Sequence, residues 1–166
     1  MKEWVSQPLR ADHILAQFRC GHSSLDEWLR DNALRAQVSG TAKTYVWTRS
    51  DELEVVGYFA IAPTQVARSE VTRSMSGGVG VVPGYLLARL ALDVSLHGQG
   101  LGSELLIDAL QVTVAAGDRA GGRLIVVDAI DQEAHDFYRH HGFVPIAGER
   151  RLAMKVATAR GALEGG

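Results

Sequence analysis

Ala88-Arg89-Leu90-Ala91-Leu92-Asp93-Val94, followed after Ser95-Leu96 by His97-Gly98-Gln99-Gly100-Leu101-Gly102-Ser103 and then Glu104-Leu105-Leu106-Ile107-Asp108-Ala109-Leu110, is the stretch on which the fold turns. The apolar run with Leu90, Leu92 and Val94 reads as a buried strand, and the glycine-spaced turn opens directly into a helix. Glycines at 98, 100 and 102 let backbone N–H groups converge with no Cβ in the way. The helix behind them adds a partial positive charge, so the turn suits a phosphate or pyrophosphate. Two nucleotide readings weaken. A P-loop needs a Lys-Ser/Thr pair after its last glycine, and a dinucleotide fingerprint needs G-x-G-x-x-G, whereas these glycines are evenly spaced. A tight strand-to-helix turn with no ligand is the alternative.

Composition frames this turn. The chain has 166 residues, long enough for one domain with a real core, and its 46% hydrophobic and 22% charged fractions are those of an ordinary soluble protein. No apolar run approaches a membrane span, and Met1–Pro8 lacks the apolar segment of a signal peptide. The single cysteine, Cys20, cannot make an internal disulfide, which fits a reducing cytoplasm. Seventeen Lys and Arg against nineteen Asp and Glu give a net charge of −2, so no global pull toward nucleic acid exists. Arginine clusters at Arg139-His140-His141 and Arg150-Arg151 leave room for a local basic face.

Along the chain, Trp4 and Val5 signal a short first strand ended by Pro8. Ser24 and Glu27 have capping-box spacing and start a helix that Ser39-Gly40 ends. Leu25, Trp28, Leu29, Ala33 and Ala36 share one face; Arg30 and Arg35 lie on the other, where solvation is the plain reading. Thr41–Arg49 and Leu53–Ala62 read as a hairpin joined by Ser50-Asp51-Glu52. Residues 63–83, interrupted by serine and glycine, read as a long mobile excursion. The helix after the turn runs to Gly117, Leu124–Val127 is a buried strand, and Asp131 caps a helix carrying Ala134, Phe137 and Tyr138. Phe143–Ile146 and Arg151–Val156 close the fold as a pair of strands. The expected organisation is one α/β domain over 1–156, with a mixed, mostly antiparallel central sheet flanked by helices, a parallel step at the glycine turn, and a frayed tail over 157–166.

Two motifs together carry a family resemblance. His97-x-x-Gly100-x-Gly102 after a strand, with Ala134-x-x-Phe137-Tyr138-x-x-x-Gly142-Phe143 downstream, resembles the acetyl-CoA-binding core of the GNAT N-acetyltransferases. The resemblance spans Val5 to Val156 and implies the GNAT acyl-CoA N-acyltransferase fold. It implies that Leu92 and Val94 offer strand backbone to the pantetheine, that Gln99, Gly100, Leu101, Gly102 and Ser103 hold the pyrophosphate, and that Asp93, His97 and Gly98 belong to the cofactor site with them. Asp131 and Phe137 belong to the implied cofactor site as well. This chain has His97 where the family usually has Arg or Gln, and Asp131 where Asn is frequent; neither change alters the backbone cradle.

Acetyl transfer from a thioester needs a neutral amine, N–H donors for the oxyanion and a proton for the thiolate. By resemblance Tyr138 is the acid, a phenol that is protonated at neutral pH. A core tyrosine packing beside Phe137 is the bland alternative. No good general base is visible: Glu104 and Asp108 read as solvated helix residues, and His135, His140 and His141 do not make a metal ligand set. An α-amine at about 7.7–8.0 needs less help than a lysine at about 10.4, so an α-amine acceptor is favoured.

Phe18-Arg19-Cys20-Gly21, Leu25-Asp26-Glu27-Trp28-Leu29, Thr44-Tyr45-Val46, Gly57-Tyr58-Phe59-Ala60 and Arg89-Leu90-Ala91-Leu92-Asp93 are similar to GNAT toxins of bacterial type II toxin–antitoxin modules. That resemblance implies acetylation of the α-amino group of aminoacyl-tRNA, a block of translation, neutralisation by a ribbon-helix-helix antitoxin, and a homodimer. Arg30, Arg35, Arg89, Arg150 and Arg151 are the candidates for RNA phosphates, with Arg89 equally readable as a structural arginine. A GNAT enzyme acting on a small amine or a peptide N-terminus, and a non-catalytic CoA-binding module, are the competing functions.

Overall fold

The computed structural model describes residues 4–148 and 150–165. In chain order its elements are β1 (Trp4–Pro8), α1 (Ser23–Asp31), α2 (Ala33–Ser39), β2 (Lys43–Arg49), β3 (Gly57–Ala67), α3 (Arg73–Ser76), β4 (Val81–Leu92), α4 (Leu101–Ala120), β5 (Leu124–Asp128), α5 (Gln132–His140), β6 (Val144–Pro145), β7 (Arg151–Lys155) and α6 (Val156–Gly165). The strands form one seven-stranded sheet in the order β1-β2-β3-β4-β5-β7-β6. β1 and β2, β2 and β3, β5 and β7, and β6 and β7 pair antiparallel; β4 and β5 pair parallel, as the strand-turn-helix-strand reading requires.

The chain groups into two compact units, one built from the residues up to Ala62 with Arg89–Ala109, the other from Pro63–Ala88 and the chain beyond Leu110. In the first, Leu9, Phe18, Leu29, Ala33, Val46 and Tyr58 form a core on which Leu15, Leu25 and Trp28 pack. The helix expected over 23–39 is two helices, because Asn32 leaves the helical region at φ −128°. Its side chain accepts from Arg35 Nη2 at 2.5 Å, a local bond of the kind that competes with helix. Nor does the Ser24–Glu27 capping box form; the residue preceding α1 is His22, with no side-chain cap. What fastens this helix is Asp26, a buried carboxylate accepting the Cys20 N–H at 2.9 Å.

The hairpin is offset from its expected register. Trp47 faces Gly57, so the connection runs over 50–56 rather than 50–52. Ile14 takes part of the expected second strand by donating to the Leu53 carbonyl at 2.8 Å and accepting from Val55 at 3.0 Å.

In the second unit, Val66, Met75, Val82, Leu124, Val126 and Ala153 are the core. The long excursion expected over 63–83 is mostly ordered structure: β3 continues to Ala67, α3 occupies Arg73–Ser76, and β4 begins at Val81. Thr72 caps α3 by accepting from Met75 at 3.2 Å. Arg123 donates to the Met75 and Ser74 carbonyls at 2.8 and 3.1 Å, and Lys155 reaches Ser74 Oγ at 2.9 Å. The scattered Val66, Met75 and Val82, too far apart to show a period, are what bury this segment.

α4 passes through Gly117, where a Cβ would come within 3.2 Å of Val156 Cγ1, and ends before Gly121 and Gly122 at φ +79° and +113°. The expected frayed tail is helical instead: α6 spans Val156–Gly165 with Val156 and Ala159 buried. Gly166 lies outside the described residues.

Candidate active site

Within the first unit, β4 ends at Leu92 and the chain enters a 3-10 turn at Val94–Leu96 before reaching the glycines. Val94 was expected to continue the strand. The Asp93 carboxylate prevents it, accepting from Ser95 N at 3.1 Å and Ser95 Oγ at 2.6 Å, a turn that competes with extended backbone. Val94 is consequently exposed, and its N–H is spent on the Arg19 carbonyl at 2.7 Å, while the Asp93 N–H is spent on Val56 at 2.8 Å. Neither amide is available to a pantetheine arm. The open part of β4 lies earlier. Its ladder with β5 covers Gly84–Leu87 only, and Ala88, Arg89 and Leu90 are partly exposed.

In the glycine turn two of the three glycines take the left-handed region. Gly98 and Gly100 have φ +78° and +74°, conformations that a residue with Cβ rarely adopts, and nothing lies within 4 Å of the position a Cβ would take at either. Leu101 begins the 20-residue α4, with Gly102 and Ser103 in its first turn, the end of a helix whose N–H groups point out of it. An open cradle of amides at the positive end of a long helix fits an anionic pyrophosphate.

His97 does not extend this cradle. Its Nε2 lies 2.7 Å from the Leu92 carbonyl oxygen, and since a carbonyl can only accept, Nε2 carries the hydrogen. The ring pins the strand end to the turn. Gln99 is likewise turned back, Nε2 donating to the Ser95 carbonyl at 3.4 Å.

Asp108 corrects an expectation. It is buried rather than solvated and accepts from Trp47 Nε1 at 2.8 Å. Glu104 stays exposed in the first turn of α4. Asp93 and Asp108, both committed to hydrogen bonds within the protein, are poor candidates for a general base. Cys20, buried, has its thiol pushed up to about 11 by burial and by the Asp26 carboxylate, so it is a poor nucleophile.

Within the second unit, Tyr138 sits on α5, 7% exposed, edge-on to Phe137 and Phe143 with ring centroids 5.4 and 5.5 Å apart. Burial raises its pKa well above the ordinary phenol value, so the hydroxyl stays protonated at any physiological pH. Among the described residues none takes that hydroxyl in a hydrogen bond. Phe137 also packs on His141, centroids 4.8 Å apart. Asp131 caps α5 as expected, Oδ1 accepting from Ala134 at 2.8 Å, and this turns its carboxylate to the helix rather than to a ligand.

The candidate RNA contacts divide. Arg30 and Arg150 are exposed, Arg150 donating to the Ile130 carbonyl at 2.9 Å, and exposed Arg35 is held by Asn32. Arg151 is committed to a two-pronged pair with Asp128 at 2.7 and 2.8 Å. Arg89 lies over the Trp28 ring, 4.1 Å from its centroid. Among the described residues no group of three or more His, Cys, Asp or Glu is placed to hold a metal, and no helix is long and apolar enough to cross a membrane.

A mixed sheet with one parallel step into a glycine turn and long helix, followed by a capped helix bearing Phe-Tyr, defines a GNAT acyltransferase. The family model for the acetyltransferase (GNAT) domain matches residues 42–145, and the chain belongs to that family. Among individual relatives it is 41% identical over 137 residues to a tRNA-acetylating toxin of Mycobacterium tuberculosis, covering 80% of this chain and 79% of the relative. Among solved structures it is similar to AtaT complexed with acetyl-methionyl-tRNAfMet, at 28% identity and a TM-score of 0.88 over 96% of this chain and 98% of the other. A tyrosine-to-phenylalanine variant of the AtaT toxin, bound to the C-terminus of the antitoxin AtaR and acetyl-CoA, is 27% identical with a TM-score of 0.85, covering 97% and 98% of the two chains.

Proposed function

We propose that this chain is an acetyl-CoA-dependent N-acetyltransferase, with residues 1–156 as its catalytic domain, that acetylates the α-amino group of aminoacyl-tRNA and so blocks translation as the toxin of a toxin–antitoxin module. The observation that carries this reading is its similarity to a tRNA-acetylating toxin over four fifths of the chain, taken with a glycine cradle of the geometry described. When bound, acetyl-CoA supplies an acetyl group as a thioester. The amides of the turn from Gly98 to Gly102 would hold its pyrophosphate, and the partly exposed stretch Ala88–Leu90 would orient the arm. Tyr138, neutral and with its hydroxyl unspent among the described residues, would give a proton to the departing sulfur.

The acceptor amine deprotonates without help from a dedicated base. Two carboxylates that flank the turn are committed, Asp93 to Ser95 and Arg19 and Asp108 to Trp47, while Glu104, in the first turn of α4, is exposed to solvent. An α-amine at about 7.7–8.0 is already partly neutral near pH 7, whereas a lysine side chain at about 10.4 is almost wholly charged. Arg30, Arg35 and Arg150, exposed and free of carboxylate pairing among the described residues, supply phosphate contacts along the RNA. A cytoplasmic homodimer neutralised by a ribbon-helix-helix antitoxin completes the reading; AtaT, which this chain resembles, is seen with its antitoxin AtaR.

Transfer of radiolabelled acetyl from acetyl-CoA to a charged total tRNA pool tests it, with uncharged tRNA and Tyr138→Phe as controls. Label on charged tRNA alone, lost in the variant, is the expected result. An enzyme that binds acetyl-CoA yet labels no charged tRNA excludes the toxin reading and leaves a small amine or peptide as the acceptor.

A further inference from the structure

The Arg89 guanidinium carbon lies 4.1 Å from the centroid of the Trp28 ring. Trp28 in turn stacks on Tyr58, the ring centroids 6.2 Å apart and the planes inclined by 11°. Tyr58 is fully buried, and its hydroxyl donates to the Leu25 carbonyl at 2.7 Å. Arg89 is therefore the outer member of a layered stack whose inner end is anchored in the core of the first unit, which restricts where its fork can go.

A half-buried cation ordinarily has a carboxylate or carbonyls to meet its donors. Arg151, half-buried like Arg89, has Asp128. Among the described residues none accepts a hydrogen bond from Arg89 or forms an ion pair with it. Burial also holds its pKa below the ordinary arginine value, a sign of lost hydration that no described anion offsets. The ring contact returns some of that cost but uses the face of the guanidinium, leaving its N–H edge for another group.

A planar fork with unspent N–H donors matches a phosphate. Two sources of phosphate exist on the proposed function, the cofactor and the RNA. The cofactor's pyrophosphate has its own cradle at Gly98–Ser103, downstream of Asp93, whereas Arg89 lies upstream on the open part of β4, beside α1. In an aminoacyl-tRNA the reacting amine hangs by an ester from the terminal ribose, and the nearest formal charge is the phosphodiester on the 5′ side of that nucleotide.

We propose that Arg89, held over Trp28, binds the phosphodiester adjoining the aminoacylated terminal nucleotide and so positions the acceptor amine. This rests on the aminoacyl-tRNA reading above.

The test compares wild type with Arg89→Gln and Arg89→Lys in steady-state acetylation of charged tRNA at several salt concentrations, with acetyl-CoA affinity measured by calorimetry. Arg49→Gln is the control, because Arg49 lies over Trp4 in a similar way, 4.9 Å from its centroid, on another strand. Expected for Arg89→Gln is a KM for charged tRNA raised about tenfold to a hundredfold, the range of a lost charge-assisted hydrogen bond. Its slope of log kcat/KM against log salt should become shallower by about 0.7. Affinity for acetyl-CoA should be unchanged, which also shows that the variant is folded. Arg89→Lys should recover little of the KM, a point charge being unable to keep the fork, and Arg49→Gln should behave as wild type.

Unchanged KM and salt slope in an Arg89→Gln enzyme that binds acetyl-CoA normally overturn the proposal. So does a loss confined to acetyl-CoA affinity, which would place Arg89 on the donor side. Wild-type protein that acetylates no charged tRNA overturns the functional reading itself and this inference with it.

Discussion

Asp93 Oδ1 accepts the backbone N–H of Arg19 at 3.0 Å, joining residues 74 positions apart in sequence. Val94 answers by donating to the Arg19 carbonyl at 2.7 Å, and Asp93 Oδ2 holds Ser95. The entrance to the glycine turn is thus clamped to the segment before α1 by a single carboxylate and one returning amide. Asp93→Ala should loosen the turn and raise the Kd for acetyl-CoA several-fold, at a stability cost of about 1 kcal/mol for the partly exposed bonds lost. Calorimetric titration and urea unfolding of the variant check both.

The same carboxyl gives a pH dependence. Burial alone would raise its pKa, but hydrogen bonds from Ser95 and the Arg19 backbone outweigh that and hold it below the ordinary 3.8. A carboxyl depressed in the folded state stabilises above its unfolded pKa, and the contribution is lost as pH falls through the folded value. Stability should therefore fall below about pH 4, and Asp93→Asn should flatten that limb. An equally steep acid limb in the variant would show that other groups cause it.

Tyr138→Phe removes a hydroxyl that no described residue holds and keeps the ring between Phe137 and Phe143. Stability and acetyl-CoA affinity should be near wild type while kcat falls about 10²–10⁴-fold, the contribution of a positioned proton donor. Because burial pushes the phenol well above its ordinary pKa, the kcat profile should show no alkaline loss from its ionisation up to pH 10. A sharp alkaline fall in wild type that vanishes in the variant would contradict that.

Gly100→Ala introduces a Cβ where φ is +74° and where no atom lies within 4 Å. The cost is backbone strain of about 1–2 kcal/mol, not a clash, and the methyl intrudes on the anion cradle. Acetyl-CoA binding should weaken about tenfold or more. Gly77→Ala is the contrast: φ is +62° and the new Cβ meets Arg123, so stability should fall with acetyl-CoA affinity retained. Thermal melts and titrations of the two variants separate strain from ligand contact.

The central turn, the parallel step and the Asp131 cap were legible because each depends on residues close together in sequence: evenly spaced glycines, a buried run at Leu124–Val127, a carboxylate before Ala134. What sequence hid was set by partners far away. Ala157 and its neighbours have no periodicity, yet α6 forms with Val156 against Gly117 and Arg160 pairing with Asp118. Residues 63–83 read as mobile because nothing local announces Arg123 and Lys155. In the site, spacing located the glycine turn but not which groups were free: Asp93, Val94, His97 and Asp131 each spend at least one polar group on a hydrogen bond within the protein. The trait that marks Arg89, a half-buried cation with no polar partner among the described residues, exists only in three dimensions.

Asp108 shows the same limit from the side of stability. Its position on α4 reads as surface, but it is 6% exposed and receives the Trp47 indole N–H at 2.8 Å, Trp47 itself being 2% exposed. A buried indole donor left without its acceptor costs about 1–3 kcal/mol, whereas the exchanged bond itself is worth only about 1. Asp108→Ala should therefore lower the urea midpoint with the m-value unchanged, by an amount equivalent to about 2 kcal/mol. Asp108→Asn, which keeps a carbonyl oxygen to accept, should lose less than half of that. A doubly altered protein, Asp108→Ala with Trp47→Phe, removes the stranded donor and should recover part of the loss, so that the deficit of the double variant is smaller than the sum of the single ones. Strict additivity would mean that Asp108 stabilises α4 through its other contacts and that the indole bond contributes nothing.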